Sequence, residues 1–100
     1  MGWGMKKTQK QEAISEIRTI PGVGPNIAQH LWDIGIRRVA DLQDRDPQAR
    51  YEASCRFEGV TIDRCLLYVY RCAVYYASRK RHDPDRLKWW NWTDDKMPQR

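Results

Sequence analysis

Ile20-Pro21-Gly22-Val23-Gly24-Pro25 constrains this chain more than any other segment. Pro21 and Gly22 end the helix before them. Pro25 opens another, because its missing N–H costs nothing at a first helical position. Two helices joined so closely must fold back on each other. On the N-terminal side, Ala13, Ile14, Ile17 and Ile20 recur at helical spacing over about Lys10 to Thr19, with Glu12, Glu16 and Arg18 toward water. On the C-terminal side, Ile27, Ala28, Leu31 and Trp32 form the apolar face of a second helix that stops at Gly35, and the small Ala28 permits close approach.

This turn carries chemistry as well as shape. Glycines at 22 and 24 accept backbone angles that a side chain forbids and leave the amides of the turn uncovered. The start of the next helix adds unpaired N–H groups and the positive end of its dipole. Such a turn is a seat for an anion. If the anion is a nucleic-acid phosphate, contact through Gly22, Val23, Gly24 and Asn26 reads no base sequence. Arg18, Arg37 and Arg38, or the run Arg79-Lys80-Arg81, would supply the charge.

Local punctuation divides the remainder into helices, with no convincing period-two run. Ile36, Val39 and Leu42 give one or two turns of a third helix, and Asp46-Pro47 caps a fourth that closes at Gly59. Thr61 to Arg79 is the longest periodic segment. Its stripe of Ile62, Cys65, Leu66, Val69, Cys72, Ala73 and Tyr76 is wide enough to face a core, which makes it the expected spine of the fold. Asp83-Pro84 repeats the cap-plus-proline signal before a short last helix ending in Trp89-Trp90-Asn91-Trp92. The expectation is an all-α domain of five to six short helices over residues 10–92, flanked by a flexible N-terminal arm at 1–9 and a flexible tail at 93–100.

One hundred residues support one hydrophobic core, which excludes a catalytic cleft between two domains. No stretch approaches the roughly 20 apolar residues of a membrane span, and the first residues lack a signal-peptide pattern, so a soluble, cytoplasmic protein is expected. The net charge of +5 favours an anionic partner, but its distribution matters more than its sum. Residues 21–50 carry four basic and four acidic side chains and residues 51–78 three of each, whereas residues 1–20 carry four against two and residues 79–100 seven against four. A neutral middle predicts modest affinity for DNA unless the ends fold back beside the turn.

The motif Ile17-x-x-Ile20-Pro21-Gly22-Val23-Gly24-x-x-x-Ala28 resembles that of the helix-hairpin-helix superfamily of DNA-binding modules, found in repair glycosylases, ligases, nucleases and polymerases. The resemblance implies that the turn holds a phosphate. That family usually carries a Lys shortly after the second Gly, where this chain has Asn26, and a Ser or Thr cap where Arg38 stands. A longer resemblance runs from about Ile17 to Trp92. It is carried by the turn itself, Asp41-Leu42, Asp46-Pro47, Glu58-Gly59-Val60, Asp63-Arg64-Cys65-x-Leu67-Tyr68-Val69-x-Arg71-Cys72-Ala73-Val74-Tyr75-Tyr76 and Leu87-Lys88-Trp89-Trp90-Asn91-Trp92. These segments look like the small bacterial pathogenicity-locus family, also called mitomycin-resistance-like. That resemblance implies a stand-alone SAM-like, helix-hairpin-helix fold. Phe57-Glu58-Gly59-Val60 resembles a degenerate second hairpin with one Gly, so the fold would hold one good and one degenerate hairpin.

Other residues admit plainer roles. Cys55, Cys65 and Cys72 are expected as buried thiols, with no Cys-x-x-Cys spacing for zinc. Arg64 and Arg71, seven apart, suggest a solvated or salt-bridged helix face. Tyr68, Tyr70, Tyr75 and Tyr76 are expected to pack between helices, although they could also stack on unpaired bases. Trp89, Trp90 and Trp92 either close the core or mark a partner surface. His30 and His82 sit in no recognisable triad or metal spacing, so neither catalysis, a cofactor nor a metal is expected. Two functions remain: non-specific DNA binding through the turn, or a protein-protein adapter using the aromatic, Trp-rich surface.

Overall fold

A computed structural model describes residues 8–96. Residues 1–7 of the expected arm and 97–100 of the expected tail lie outside the described residues. Among the described residues there is no strand, and the regular structure comprises four α-helices: α1 (Gln9–Ile17), α2 (Pro25–Asp33), α3 (Pro47–Glu58) and α4 (Cys65–Ser78). Four short 3-10 turns complete it, at Val39–Leu42, Pro84–Leu87, Trp89–Trp92 and Asp94–Lys96. The expected third and last helices are thus 3-10 segments, a form favoured where a helical run is only a turn long.

Each start has a local cause. Thr8 and Gln11 form a reciprocal capping box at α1, with Gln11 N donating to Thr8 Oγ1 at 3.1 Å and Thr8 N to Gln11 Oε1 at 2.8 Å. The Asp46 and Asp83 carboxylates accept from the amides of Gln48 and Asp85, both at 3.0 Å, each just ahead of a proline. Arg38 offers no cap for the 39–42 turn. Asp41 reaches back instead, accepting from the amides of Arg37 (2.9 Å) and Arg38 (3.1 Å), which holds its carboxyl below the usual range. Gly35 and Gly59 adopt left-handed backbone, as helix stops.

The core runs through Ile17, Ile20, Val23, Ala28 and Leu31 into Leu42, Tyr51, Leu66, Leu67, Val69, Tyr70 and Ala73. α4 is the spine: it packs on α3, the 39–42 turn and both turns between 84 and 92. Being enclosed from several sides, it buries a broader arc than one stripe. Leu67 and Tyr70 are fully buried, and the Tyr70 hydroxyl pairs with Ser54 Oγ at 2.7 Å. The expectation of three buried thiols needs correction for the same reason. Cys72 is buried, which pushes its thiol up to about 11, but Cys55 is only half-buried, and Cys65, at the start of α4, is exposed because the helix turns Leu66 and Leu67 inward beside it.

The tryptophans divide. Trp92 closes the core, its indole N–H donating to Arg86 O at 2.8 Å. Trp89 is half-buried, and Trp90 is 51% exposed. Ordered contacts continue past Trp92: Asp94 lies 2.8 Å from Arg64 Nε and 2.9 Å from Arg71 Nη2. Arg64 and Arg71 therefore share a salt-bridged face, joined by a carboxylate from the segment beyond Trp92.

Candidate functional site

Gly22 takes φ +85°, so the chain reverses there in a conformation that side chains rarely adopt. Ile20 and Val23 anchor the turn by burying their side chains, and the Val23 amide donates to Ile20 O at 3.1 Å. Gly24 is the N-cap of α2 and has no side chain to cap it. Consequently the amides of Gly22, Gly24, Asn26 and Ile27 meet no acceptor among the described residues. A β-carbon at Gly24 would meet nothing within 4 Å, so the approach to these donors is open. The arrangement can hold an anion by backbone hydrogen bonds and the helix dipole together.

Of the residues the sequence nominates, Gly22, Gly24 and Asn26 belong to this open turn, while Val23 has its amide occupied. Arg18 caps the end of α1 at the entrance to the turn and is exposed. The other cations lie elsewhere. The Arg37 guanidinium stacks 3.5 Å from the Trp32 ring centroid and donates to Trp32 O at 2.7 Å, at the far end of α2. With Arg38 it borders a surface groove whose other wall carries Glu12 and Glu16. Arg79 is at the C-terminal end of α4, beside Tyr75, with Lys80 and Arg81 exposed beyond it. The α4 residues nearest the turn, Cys65, Leu66 and Val69, are in the opposite half of that helix, whose length is about 20 Å. The basic run does not share the turn's immediate surroundings.

Trp89 supplies the contact that local pattern did not reveal. Its Cδ1 would lie 3.1 Å from a β-carbon on Gly22, so the indole stands against one side of the turn and Gly22 must be a glycine for two reasons, conformation and space. Lys88 precedes it and is half exposed, with its ammonium 3.6 Å from Asp85.

Between Gly22, Trp89 and the start of α4 lies an open groove of about 260 Å³, floored by Leu66 and Val69 and edged by His30 and Asp63. Asp63 accepts from the Cys65 amide at 2.8 Å, which holds its carboxyl below the usual range. The same carboxylate raises the Cys65 thiol, so this exposed cysteine is not an activated nucleophile. His30 Nδ1 stands 3.5 Å from Glu58 Oε1 across the α2–α3 contact. His82 is occupied structurally, stacked on Tyr76 and bonded to its carbonyl.

The fold and turn define a small all-helical protein organised about one spine helix and one open amide turn. The family model described as Pathogenicity locus matches residues 10–97, and the chain belongs to that family. It is also 34% identical over 82 residues to the mitomycin resistance protein McrB of Streptomyces lavendulae, covering 82% of this chain and 74% of the relative. No solved structure gives a significant match. Among the described residues, no helix is long and apolar enough to cross a membrane.

Proposed function

We propose that this chain is a non-catalytic helix-hairpin-helix module that binds nucleic-acid backbone phosphate without sequence preference. The observation that carries the reading is the set of four amides without an acceptor among the described residues, of Gly22, Gly24, Asn26 and Ile27, in the turn and at the start of α2. Backbone donors recognise a phosphate oxygen and are indifferent to the base attached to it. Arg18, at the end of α1 where the chain enters the turn, is the candidate for supporting charge, in place of Arg37 and the 79–81 run. With so few cations at the seat, affinity is modest and falls only gently with salt.

The test exploits Gly24. An aspartate there is an excellent N-cap, has room for its β-carbon, and fills the seat with its own carboxylate. Labelled duplex and single-stranded DNA titrated at low and moderate salt should bind the native chain, with duplex affinity falling by about 0.9 log units per log unit of salt for each phosphate that a Lys or Arg neutralises. Gly24→Asp should weaken binding at least about tenfold while leaving the fold intact. Equal binding by the variant would overturn the phosphate seat. No binding by the native chain at low salt would favour the second reading, an adapter whose partner meets the exposed Trp90, Phe57 and Val60.

A further inference from the structure

We propose that His30, Asp33 and Glu58 form a binding site for a divalent first-row transition ion, best matched by Zn²⁺. His30 and Asp33 stand three apart on α2 and so project from one face of that helix. Glu58 is the last residue of α3, which packs on α2. One ligand atom from each residue lies within 4.8 Å of the other two, and the His30 Nδ1 to Glu58 Oε1 separation is 3.5 Å. Around a tetrahedral ion with bonds of about 2.0–2.1 Å, ligand atoms sit roughly 3.4 Å apart. One edge of the site already has that length. The others, none longer than 4.8 Å, close by at most about 1.4 Å through rotation of the partly exposed His30 and Glu58 side chains.

Two further observations favour an ion over a simple surface cluster. Gln29 Nε2 donates to Asp33 Oδ1 at 2.7 Å, fixing that carboxylate while leaving its second oxygen for a ligand, the usual outer support of a metal-bound carboxylate. Among the described residues, no Lys or Arg pairs with Asp33 or Glu58, so two carboxylates face a histidine without a compensating cation. A divalent ion neutralises that pair. The imidazole selects zinc, cobalt or nickel over magnesium and calcium, which prefer all-oxygen sites. Bound there, the ion staples the end of α3 to α2. The site uses none of the turn's amides, so it stands or falls separately from phosphate binding.

The probe is Co²⁺ added to the tag-free full chain, followed by displacement with Zn²⁺. One equivalent of Co²⁺ should give visible d–d absorption without a thiolate charge-transfer band, and Zn²⁺ should abolish it and raise the melting temperature. His30→Ala and Glu58→Gln should each weaken binding at least about tenfold, with melting in chelator unchanged. Cys65→Ser should have no effect, since that exposed thiol edges the neighbouring groove. The proposal is overturned by an absence of one-to-one binding up to about 1 mM ion, by undiminished affinity in the His30 and Glu58 variants, or by loss of binding in Cys65→Ser alone.

Discussion

The turns before α2 and before α4 look alike in outline, yet they dispose of their amides in opposite ways. At the first, four N–H groups of the turn and helix start are left open. At the second, Gly59 N and Val60 N both return to Cys55 O, at 2.8 and 3.2 Å, and Asp63 supplies its own carboxylate to the Cys65 amide at the start of α4. The second turn has internalised the anion that the first would take from outside. One glycine suffices where the turn only needs to stop a helix. The second glycine of the first turn, Gly24, matters for what it omits: a side chain that would cap the helix and occupy the seat.

That contrast can be broken by making the first turn resemble the second. Gly24→Asp, which copies the role of Asp63, should produce the largest functional effect, the loss of phosphate affinity described above, together with unchanged or slightly raised thermal stability. A fall in stability would mean that the open amides are not available for capping. Next comes Gly22→Ala, which meets both the positive φ and the Trp89 ring at 3.1 Å. It should cost about 1–3 kcal/mol in urea unfolding. Gly59→Ala also strains a positive φ, at +74°, but its β-carbon meets nothing within 4 Å, so about 1 kcal/mol is expected. Equal costs at the two positions would show that Trp89 does not press on the turn.

What could be read from the chain divides along the same line, between local and distant chemistry. The breaker at Pro21-Gly22, the first-turn prolines Pro25 and Pro47 and the stop at Gly59 act within a few residues, and the structure has all of them. The breadth of the buried face of α4 was less legible, because a single stripe from Ile62 to Tyr76 assumes one partner and the helix has several. The contacts made by Trp89 with Gly22 and by His30 with Glu58 left no trace in local spacing. Each joins residues from separate elements, so only tertiary packing brings them together. Charge behaved likewise: the basic run at 79–81 is prominent in the sequence, but its position along α4 removes it from the turn.

Asp94 gives the smallest and most conditional prediction, and it bears on how the second turn keeps its helix in place. Its carboxylate joins Arg64, just before α4, to Arg71, about two turns further on. These guanidiniums, Arg64 first, hold its pKa well below the ordinary value of 3.8. A carboxyl depressed in the folded state contributes stability above its unfolded pKa and loses that contribution as pH falls through its folded one. Asp94→Asn should therefore lower the urea midpoint at neutral pH, and the gap from the native chain should shrink as pH falls from about 4 toward 2. Because the carboxylate is half exposed, the gap should also narrow in added salt. Asp63, at the same helix end, is depressed by an amide instead of by guanidiniums, so its contribution should respond less to salt. A gap that is constant with pH would assign Asp94 a packing role and leave Asp63 as the carboxylate that secures the start of α4.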